Sequence, residues 1–440
     1  MTKAKTPGNE GREDPGAKQA DGREQAGILS FEEARRAVED EASRVRAEGR
    51  EFLGLLEAFG RVLAEAILAD RDFPPFPRAT RDGYAVRAED LRRPPAELEI
   101  VGEAKAGGTP QAKRLERGQA VEIMTGAPVP PGSDAVVMIE HTARAANRVR
   151  VDRQVRAEEN IVPAGREAAR GEELVPAGAR LGYAEAALAA AVGRSRILVY
   201  VKPRVAVLST GDEVVEIHAG PAENQIRNSN AYSLAAQIQA AGGDPRLLPI
   251  APDEPGRLRQ LILAGLESDL LLVSGGVSMG KYDLVEPVLA ELKAEFLFTG
   301  AKIQPGRPVV FARIPNPGEH PTPEGRNRYR YFFGLPGNPV STMVTFELFA
   351  KPIVEVLAGG APRALAFTHA RLKSAIRTPT GLKRFLPAVL SGRFEHSEVE
   401  LVAWQGSGDI ASVRRSNSFV VVPADRERIE AGEWVPVLLR

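Results

Sequence analysis

Cysteine is absent from this 440-residue chain. That excludes a disulfide framework, a thiolate nucleophile and any cysteine-ligated metal. Histidine is scarce: His141, His218, His320, His369 and His396 are scattered, with neither HxH nor HExxH spacing. A zinc site of the usual kind is therefore not expected. Net charge is lacking too, since 58 Lys and Arg balance 58 Asp and Glu, and nothing in that balance argues for a nucleic-acid or membrane partner. No apolar run approaches the roughly 18 residues that a membrane span needs. The richest, Ala186–Val192, reads as a short core helix. The first 28 residues are polar and have no hydrophobic segment of the signal-peptide kind. They are expected to form a disordered tail, and the protein is expected to be cytoplasmic.

What is present suits a globular chain of several domains, with 43 % apolar and 26 % charged residues. This length predicts two to four domains. Ser30 followed by Glu33 is a capping box, with Leu29 as its hydrophobic staple. It predicts a helix to about Ala47, and a second helix is predicted over Phe52–Leu68. DFPPFP at Asp72–Pro77 cannot be helical and marks a boundary. Residues 29–74 and 163–201 are expected to form a helical and linker domain. The 75–162 region reads as an inserted small β domain, with strands at Leu98–Val101, Gln119–Met124, Ala135–Glu140 and Arg148–Val151. Residues 202–361 alternate strand and helix, the pattern of a doubly wound α/β domain. Pro315–Arg328 interrupts it as a proline-rich, charged loop. Residues 362–440 read as a small C-terminal β-barrel. Trp404 and Trp434 fall in its strands and are expected in the core.

Two strands of the α/β region end in the same way. Leu270–Val273 runs into Ser274, Gly275 and Gly276, and Arg204–Leu208 runs into Ser209, Thr210 and Gly211. Glycines there let a ligand approach the backbone, and open parallel sheets bind ligands at the carboxyl ends of their strands. GGVSMGKY at Gly275–Tyr282 imitates a P-loop. That loop, however, needs Ser or Thr where Tyr282 stands, because the hydroxyl ligates magnesium. Asp212, Glu213, Asp253 and Asp283 all leave strands of one predicted sheet. Together they would suit Mg²⁺, whereas any one alone suits a helix cap or a solvated loop. Gln304-Pro305-Gly306-Arg307-Pro308 is a rigid turn that either presents Arg307 to an oxyanion or points it into water. Asn338 in Leu335-Pro336-Gly337-Asn338-Pro339 is placed to cap the following helix. Asp82-Gly83 and Thr125-Gly126 are consistent with ordinary turns when each is taken alone.

Seven segments in this order carry a resemblance: DGYAV, IMTGAPVPPGSDAVVMIE, STGDEVV, IRNSN, SGGVSMGKYD, QPGRPVVF and LPGNPVST. The chain, from about Leu29 to its C-terminus, resembles the molybdopterin molybdenumtransferase family, the MoeA type also found as the E domain of gephyrin. The resemblance implies an elongated homodimer with a MogA-like α/β domain, and a site shared between the α/β domain of one subunit and the β domain of the other. It implies Mg²⁺-dependent insertion of molybdate into adenylylated molybdopterin with release of AMP. The adenylyltransferase of the same pathway would be a natural partner.

Carried over by motif, Asp82, Thr125, Glu213, Asp253 and Asp283 would be catalytic, the last three as metal ligands. Ser209, Thr210, Gly211, Ser274, Gly275, Gly276 and Ser278 would bind the cofactor. So would Pro305, Arg307, Pro308, Pro336 and Asn338, with Arg307 in place of a family lysine. Arg384 in GLKRF and Ser407 in GSGD lie near family positions for oxyanion contact. The chain departs from the family pattern at Phe76–Arg81, at Val162 where an arginine is frequent, at Gly165–Ala168, and at Lys281 where an acid is frequent. Insertion of tungstate, and a paralogue that carries the cofactor without turnover, stand as alternatives.

Overall fold

The computed structural model describes residues 27–108, 113–276, 285–316, 327–393 and 395–440. Residues 1–26 of the expected tail thus lie outside the described residues. Ile28, assigned to that tail, is instead in a short strand that pairs in parallel with Gly300 and Ala301. The chain divides into two compact units, one of residues 50–199 and one of residues 1–49 with 200–440.

Helix α1 (Phe31–Ala42) begins at the expected capping box. The Ser30 side chain accepts from the Glu33 amide, and Glu33 in turn accepts from the Ser30 amide. The helix stops at Ser43, short of Ala47. The second expected helix is not formed. Arg50–Gly54 is instead a strand paired with Arg196–Tyr200, and Ile67–Leu68 pairs with Glu173–Val175. Leu and Ala at helical spacing suggested a helix here. Gly60, however, takes φ +78°, and the amides of Gly60 and Leu63 donate to the carbonyls of Leu181 and Ala179. These long-range bonds take the place of the local ones a helix would have made.

The rest of that unit is a mixed six-stranded sheet. In chain order its strands are β1 (Gly83–Val86), β2 (Ala96–Ala104), β3 (Gln119–Ile123), β4 (Ala135–Met138), β5 (Thr142–Ala145) and β6 (Arg148–Val151). Their spatial order is β4-β1-β3-β2-β6-β5. Helix α2 (Tyr183–Ala191) follows.

The larger unit holds an open sheet with helices on both faces. Its strands are β7 (Arg204–Ser209), β8 (Asp244–Leu247), β9 (Leu270–Ser274), β10 (Glu295–Phe298), β11 (Val310–Pro315) and β12 (Tyr329–Leu335). Their order is β8-β7-β9-β12-β11-β10; the first four run parallel, β11 is antiparallel to β12, and β10 is antiparallel to β11. Helices α3 (Ser229–Ala241), α4 (Pro255–Gly265) and α5 (Val285–Glu291) connect them. Residues 316–328 join β11 to β12, and 317–326 of that join lie outside the described residues. The alternation of the strands is visible in the two cores. Val205, Val207, Leu270, Leu272 and Phe333 face one layer; Ala206, Leu208, Leu271, Val273 and Phe332 face the other. A fully buried Leu or Val of this kind stabilises the fold by about 1.5–3 kcal/mol.

After β12 the chain runs through α6 (Pro339–Thr345), a π-helical turn (Phe346–Ala350) and α7 (Lys351–Leu357). Pro352 has no N–H to offer the carbonyl of Leu348, one turn back. Arg35 of α1, only 6 % exposed, donates to that carbonyl instead at 2.6 Å, and also reaches the Arg363 carbonyl. The π turn and the docking of α1 are therefore one feature.

The C-terminal region is a closed barrel, as expected. Strands β13 (Phe367–Leu372), β14 (Lys383–Arg393), β15 (His396–Leu401), β16 (Ser418–Val422) and β17 (Trp434–Leu439) run in the order β14-β15-β13-β17-β16, and β16 pairs back to β14. Trp434 is 56 % exposed, beneath the Arg371 guanidinium, and is not a core residue.

Arg35→Met should cost about 2 kcal/mol in urea unfolding, because it leaves a buried carbonyl without a donor. The loss should shrink in a Pro352→Ala background, where the substituted residue regains an amide to offer the Leu348 carbonyl. An equal loss in both backgrounds would separate Arg35 from the π turn.

Candidate functional site

Three parallel strands end side by side, with Ser209 opposite Ser274 and Ser274 opposite Leu335. The loops that follow open onto a cavity of about 520 Å³. Of the residues expected from sequence, Ser209, Thr210, Gly211, Ser274, Gly275 and Gly276 line it. Glu213, Asp253, Pro308, Pro336 and Asn338 line it as well. Ser278, Lys281 and Asp283 lie outside the described residues.

The floor is tight. Gly275 and Gly276 have φ of +94° and +60°, and a Cβ on either would lie 2.8 Å from an oxygen of Thr210. The Thr210 hydroxyl is buried with no hydrogen-bond partner among the described residues. A buried polar atom of this kind at a cavity floor is where a ligand or water is needed.

Sequence reasoning passed over two of the residues that shape the floor. Both Asn228 and Asn338 stand at N-cap positions, but only Asn228 caps through its side chain. Its Oδ1 accepts from the Ala231 amide at the start of α3 and from the Ser209 hydroxyl at 2.9 Å. The Nδ2 of Asn230 donates to Ser274 Oγ and to the Gly337 carbonyl, at 2.9 and 2.7 Å, and its Oδ1 has no partner among the described residues. The signal was the IRNSN segment, whose Asn precedes a helix. Asn338 precedes α6 without a side-chain cap bond. Part of the reason is that the Val340 amide is taken by the Ser407 carbonyl at 2.9 Å.

The acids gather at the same edge. The Asp253 amide donates to Asp212 Oδ1 at 3.1 Å. Desolvation, then the charges of Asp212 and Glu213, push the Asp253 carboxyl above its ordinary range. Among the described residues no group of three or more Asp, Glu or His is gathered as metal ligands. The expected trio includes Asp283, which is not among them. Even so, a carboxyl whose neutral form is favoured beside two other carboxylates belongs to a donor set that a divalent cation would relieve.

A second cavity of about 300 Å³ adjoins the first, sharing Pro308, Pro336 and Asn338. Pro305, Arg307 and Ser407 line it, together with Ser341 and Trp404. Trp404, expected in the core, is half-buried and forms a wall. The turn carrying Arg307 is braced from the barrel. Ile303 and Gln304 pair in parallel with Lys383 and Arg384 of β14. Arg384 is 5 % exposed and is not among the residues lining this cavity. Its Nε donates to Gln304 Oε1 at 2.8 Å, and Nη1 donates to the carbonyls of Pro379 and Leu382. It supports the turn from behind.

Asp82 and Thr125 belong to the other unit and pair with each other. Asp82 Oδ1 accepts from the Thr125 amide at 2.6 Å and from its hydroxyl at 2.8 Å. The amide bond first, then the hydroxyl bond, holds the Asp82 carboxyl below its usual range. Nearby, three of the unusual positions form one cluster. Val162 is the cross-strand partner of Arg78, and Arg78 forms a 2.5 Å ion pair with Glu167.

Comparison with known proteins fits this arrangement. Residues 29–193 match the MoeA N-terminal region (domain I and II), 206–356 a probable molybdopterin binding domain, and 369–439 the MoeA C-terminal region (domain IV). The molybdopterin molybdenumtransferase of a Nostoc species is 35 % identical over 398 residues, 88 % of either chain. The chain belongs to the molybdopterin molybdenumtransferase family. The Bacillus subtilis member is 32 % identical over 88 % of this chain and 89 % of its own. A crystal structure of the molybdopterin biosynthesis MoeA protein from Pyrococcus horikoshii superposes with a TM-score of 0.70 at 32 % identity. It covers 94 % of this chain and 99 % of that one. The family's probable molybdopterin-binding segment, 206–356, contains both strand ends that form the floor of the larger cavity.

Asp253 binds its proton more tightly folded than unfolded, so stability falls as pH rises from about 4 through its raised pKa. In metal-free buffer at pH 7, Asp253→Asn should raise the thermal midpoint by about 1–2 °C. The gain should vanish below about pH 4. Identical calorimetric midpoints at pH 7 would show that the acids do not repel one another.

Proposed function

We propose that this chain is a transferase of molybdenum cofactor biosynthesis that inserts molybdate into adenylylated molybdopterin and releases AMP. The observation that carries the reading is the adjoining pair of cavities. One, at the ends of the parallel strands, has an amide-rich and glycine floor. The other, beside Arg307 and Ser407, suits a small oxyanion. A substrate held in the first would place its far end next to an anion in the second. Proximity of this kind, with little strain, supplies much of a transfer reaction's rate.

The chain's own groups have distinct tasks in this reading. Asn228 and Asn230 fix the floor, and the backbone of Gly275 and Gly276 lies close to the ligand. Arg307 donates to molybdate, a tetrahedral dianion that suits a guanidinium fork. Arg384 holds the Arg307 turn through Gln304. Ser407 ties the anion cavity to the start of α6 through its carbonyl. Glu213 and Asp253, with Asp283, are the groups we assign to Mg²⁺, which when bound would neutralise the charge of the phosphoanhydride. Asp82 and Thr125 are assigned to the same reaction from the β-sheet unit, acting in a homodimer. The exposed apolar side chains of that unit support an association. Leu56 is 92 % exposed, Tyr183 88 % and Phe59 62 %. No helix among the described residues is long and apolar enough to cross a membrane, and we place the protein in the cytoplasm.

Purified protein given adenylylated molybdopterin and Mg²⁺ should release AMP when molybdate is added, with metal transferred to the pterin. Tungstate in a parallel arm reads oxyanion preference. Tight pterin binding without AMP release under either oxyanion would replace this reading with a cofactor carrier. Arg307→Ala should raise the molybdate concentration needed for half-maximal release by roughly tenfold or more. Light scattering should give the mass of a dimer; a monomer at micromolar concentration would remove the shared site.

A further inference from the structure

The larger cavity carries acids and amides, yet a phosphoanhydride ligand needs a cation to meet it. Among the described residues that line it, one is cationic: Arg227. We infer that Arg227 is the phosphate anchor of this site, a specificity-determining residue that the motifs did not single out. This rests on the substrate proposed above.

Its placement is built rather than incidental. Arg227 sits on a two-residue strand, Ile226–Arg227, paired in parallel with Val214–Val215 directly after Glu213. The Ile226 amide donates to the Glu213 carbonyl at 2.8 Å, and the Asn228 amide to the Val215 carbonyl at 2.9 Å. The next residue, Asn228, is locked by its cap and by the Ser209 hydroxyl. The backbone on either side of Arg227 is therefore fixed to the acid-bearing loop and to the cavity floor. The side chain is also oriented. Its Nε donates to the Ala219 carbonyl at 3.1 Å, while neither terminal nitrogen takes part in a hydrogen bond or ion pair among the described residues. A guanidinium held at Nε with its terminal edge open presents two parallel donors, the geometry that matches adjacent phosphate oxygens.

Electrostatics calls for such a group. Glu213 and Asp253 line the same cavity. A cation in the same lining offers a ligand's phosphate an attractive partner among these carboxylates, so that a charged phosphate and a neutral ring are not equivalent there. The ring would lie over the glycine and asparagine floor.

Arg227→Gln and Arg227→Lys are compared with the parent for AMP release and for equilibrium binding of AMP and of molybdopterin. Arg227→Gln should raise KM for adenylylated molybdopterin roughly tenfold with kcat changed less than about threefold. It should weaken binding in at least one of the two arms, and the arm affected identifies which phosphate is held. Arg227→Lys should recover part of the loss, since it keeps charge but not the fork. An unchanged thermal midpoint in both variants would separate anchoring from folding. KM and both affinities within twofold of the parent would overturn the assignment and leave the transferase reading intact. A parent that binds AMP through Arg227 yet never releases it from the adenylylated pterin would overturn the transferase reading and keep the anchor. A parent that binds neither ligand would overturn both.

Discussion

Everything at the site depends on three parallel strands ending in register. Parallel pairing sets Ser209 beside Ser274 and Ser274 beside Leu335, so three loops distant in sequence leave the sheet at one edge. Parallel strands require crossovers, and the helices of those crossovers cover both faces. The edge is then the place where backbone donors and small side chains stay open. A shift of one residue in β9 would turn Ser274 and the apolar residues of that strand to the opposite face. It would close the cavity and unpack two cores at once.

The second cavity depends on a different constraint, the bracing of a loop from behind. The turn that carries Arg307 belongs by sequence to the α/β region, yet its first residues, Ile303 and Gln304, extend the barrel sheet beside β14. Arg384 reaches across to Gln304, and the Ser407 carbonyl takes the Val340 amide. The barrel thus works as a clamp on a loop it does not contain. Helix α1 belongs to the same packing. Phe31 lies against Phe385 of the barrel and Phe349 of the π turn, with ring centroids 5.4 and 6.1 Å away. Arg35 occupies the carbonyl that Pro352 leaves free. Barrel, sheet and first helix therefore share one core.

Much of this was legible in the chain. The glycine-ended strands, the Ser30 capping box, the β region before the α/β alternation and the closed barrel all follow from local pattern. Glu213 and Asp253, read as acids that follow strands of one sheet, line the cavity at that edge. Other features were not legible, for identifiable reasons. The segment from Phe52 to Leu68 has helical spacing, and only bonds to Ala179 and Leu181, more than a hundred residues on, draw it into extended structure. Arg384 has the chemistry of an oxyanion ligand, but two nearby carbonyls and the side chain of Gln304, which reaches it only in the folded chain, take its donors. Asn338 looked like a side-chain cap until the Ser407 carbonyl reached the amide of Val340 just beyond it.

The sequence by itself determined which residue types the site holds and the family to which the chain belongs, because glycine, proline and capping side chains act on the backbone within a few residues of themselves. Tertiary structure alone decided which of those residues meet. Hydrogen bonds and charge interactions act over a few ångströms of space whatever the chain separation. Thus the placing of the Thr210 hydroxyl at the cavity floor, the crowding of Asp253 by Asp212 and Glu213, and the fixing of Arg227 through the Ala219 carbonyl exist only once the strands have paired.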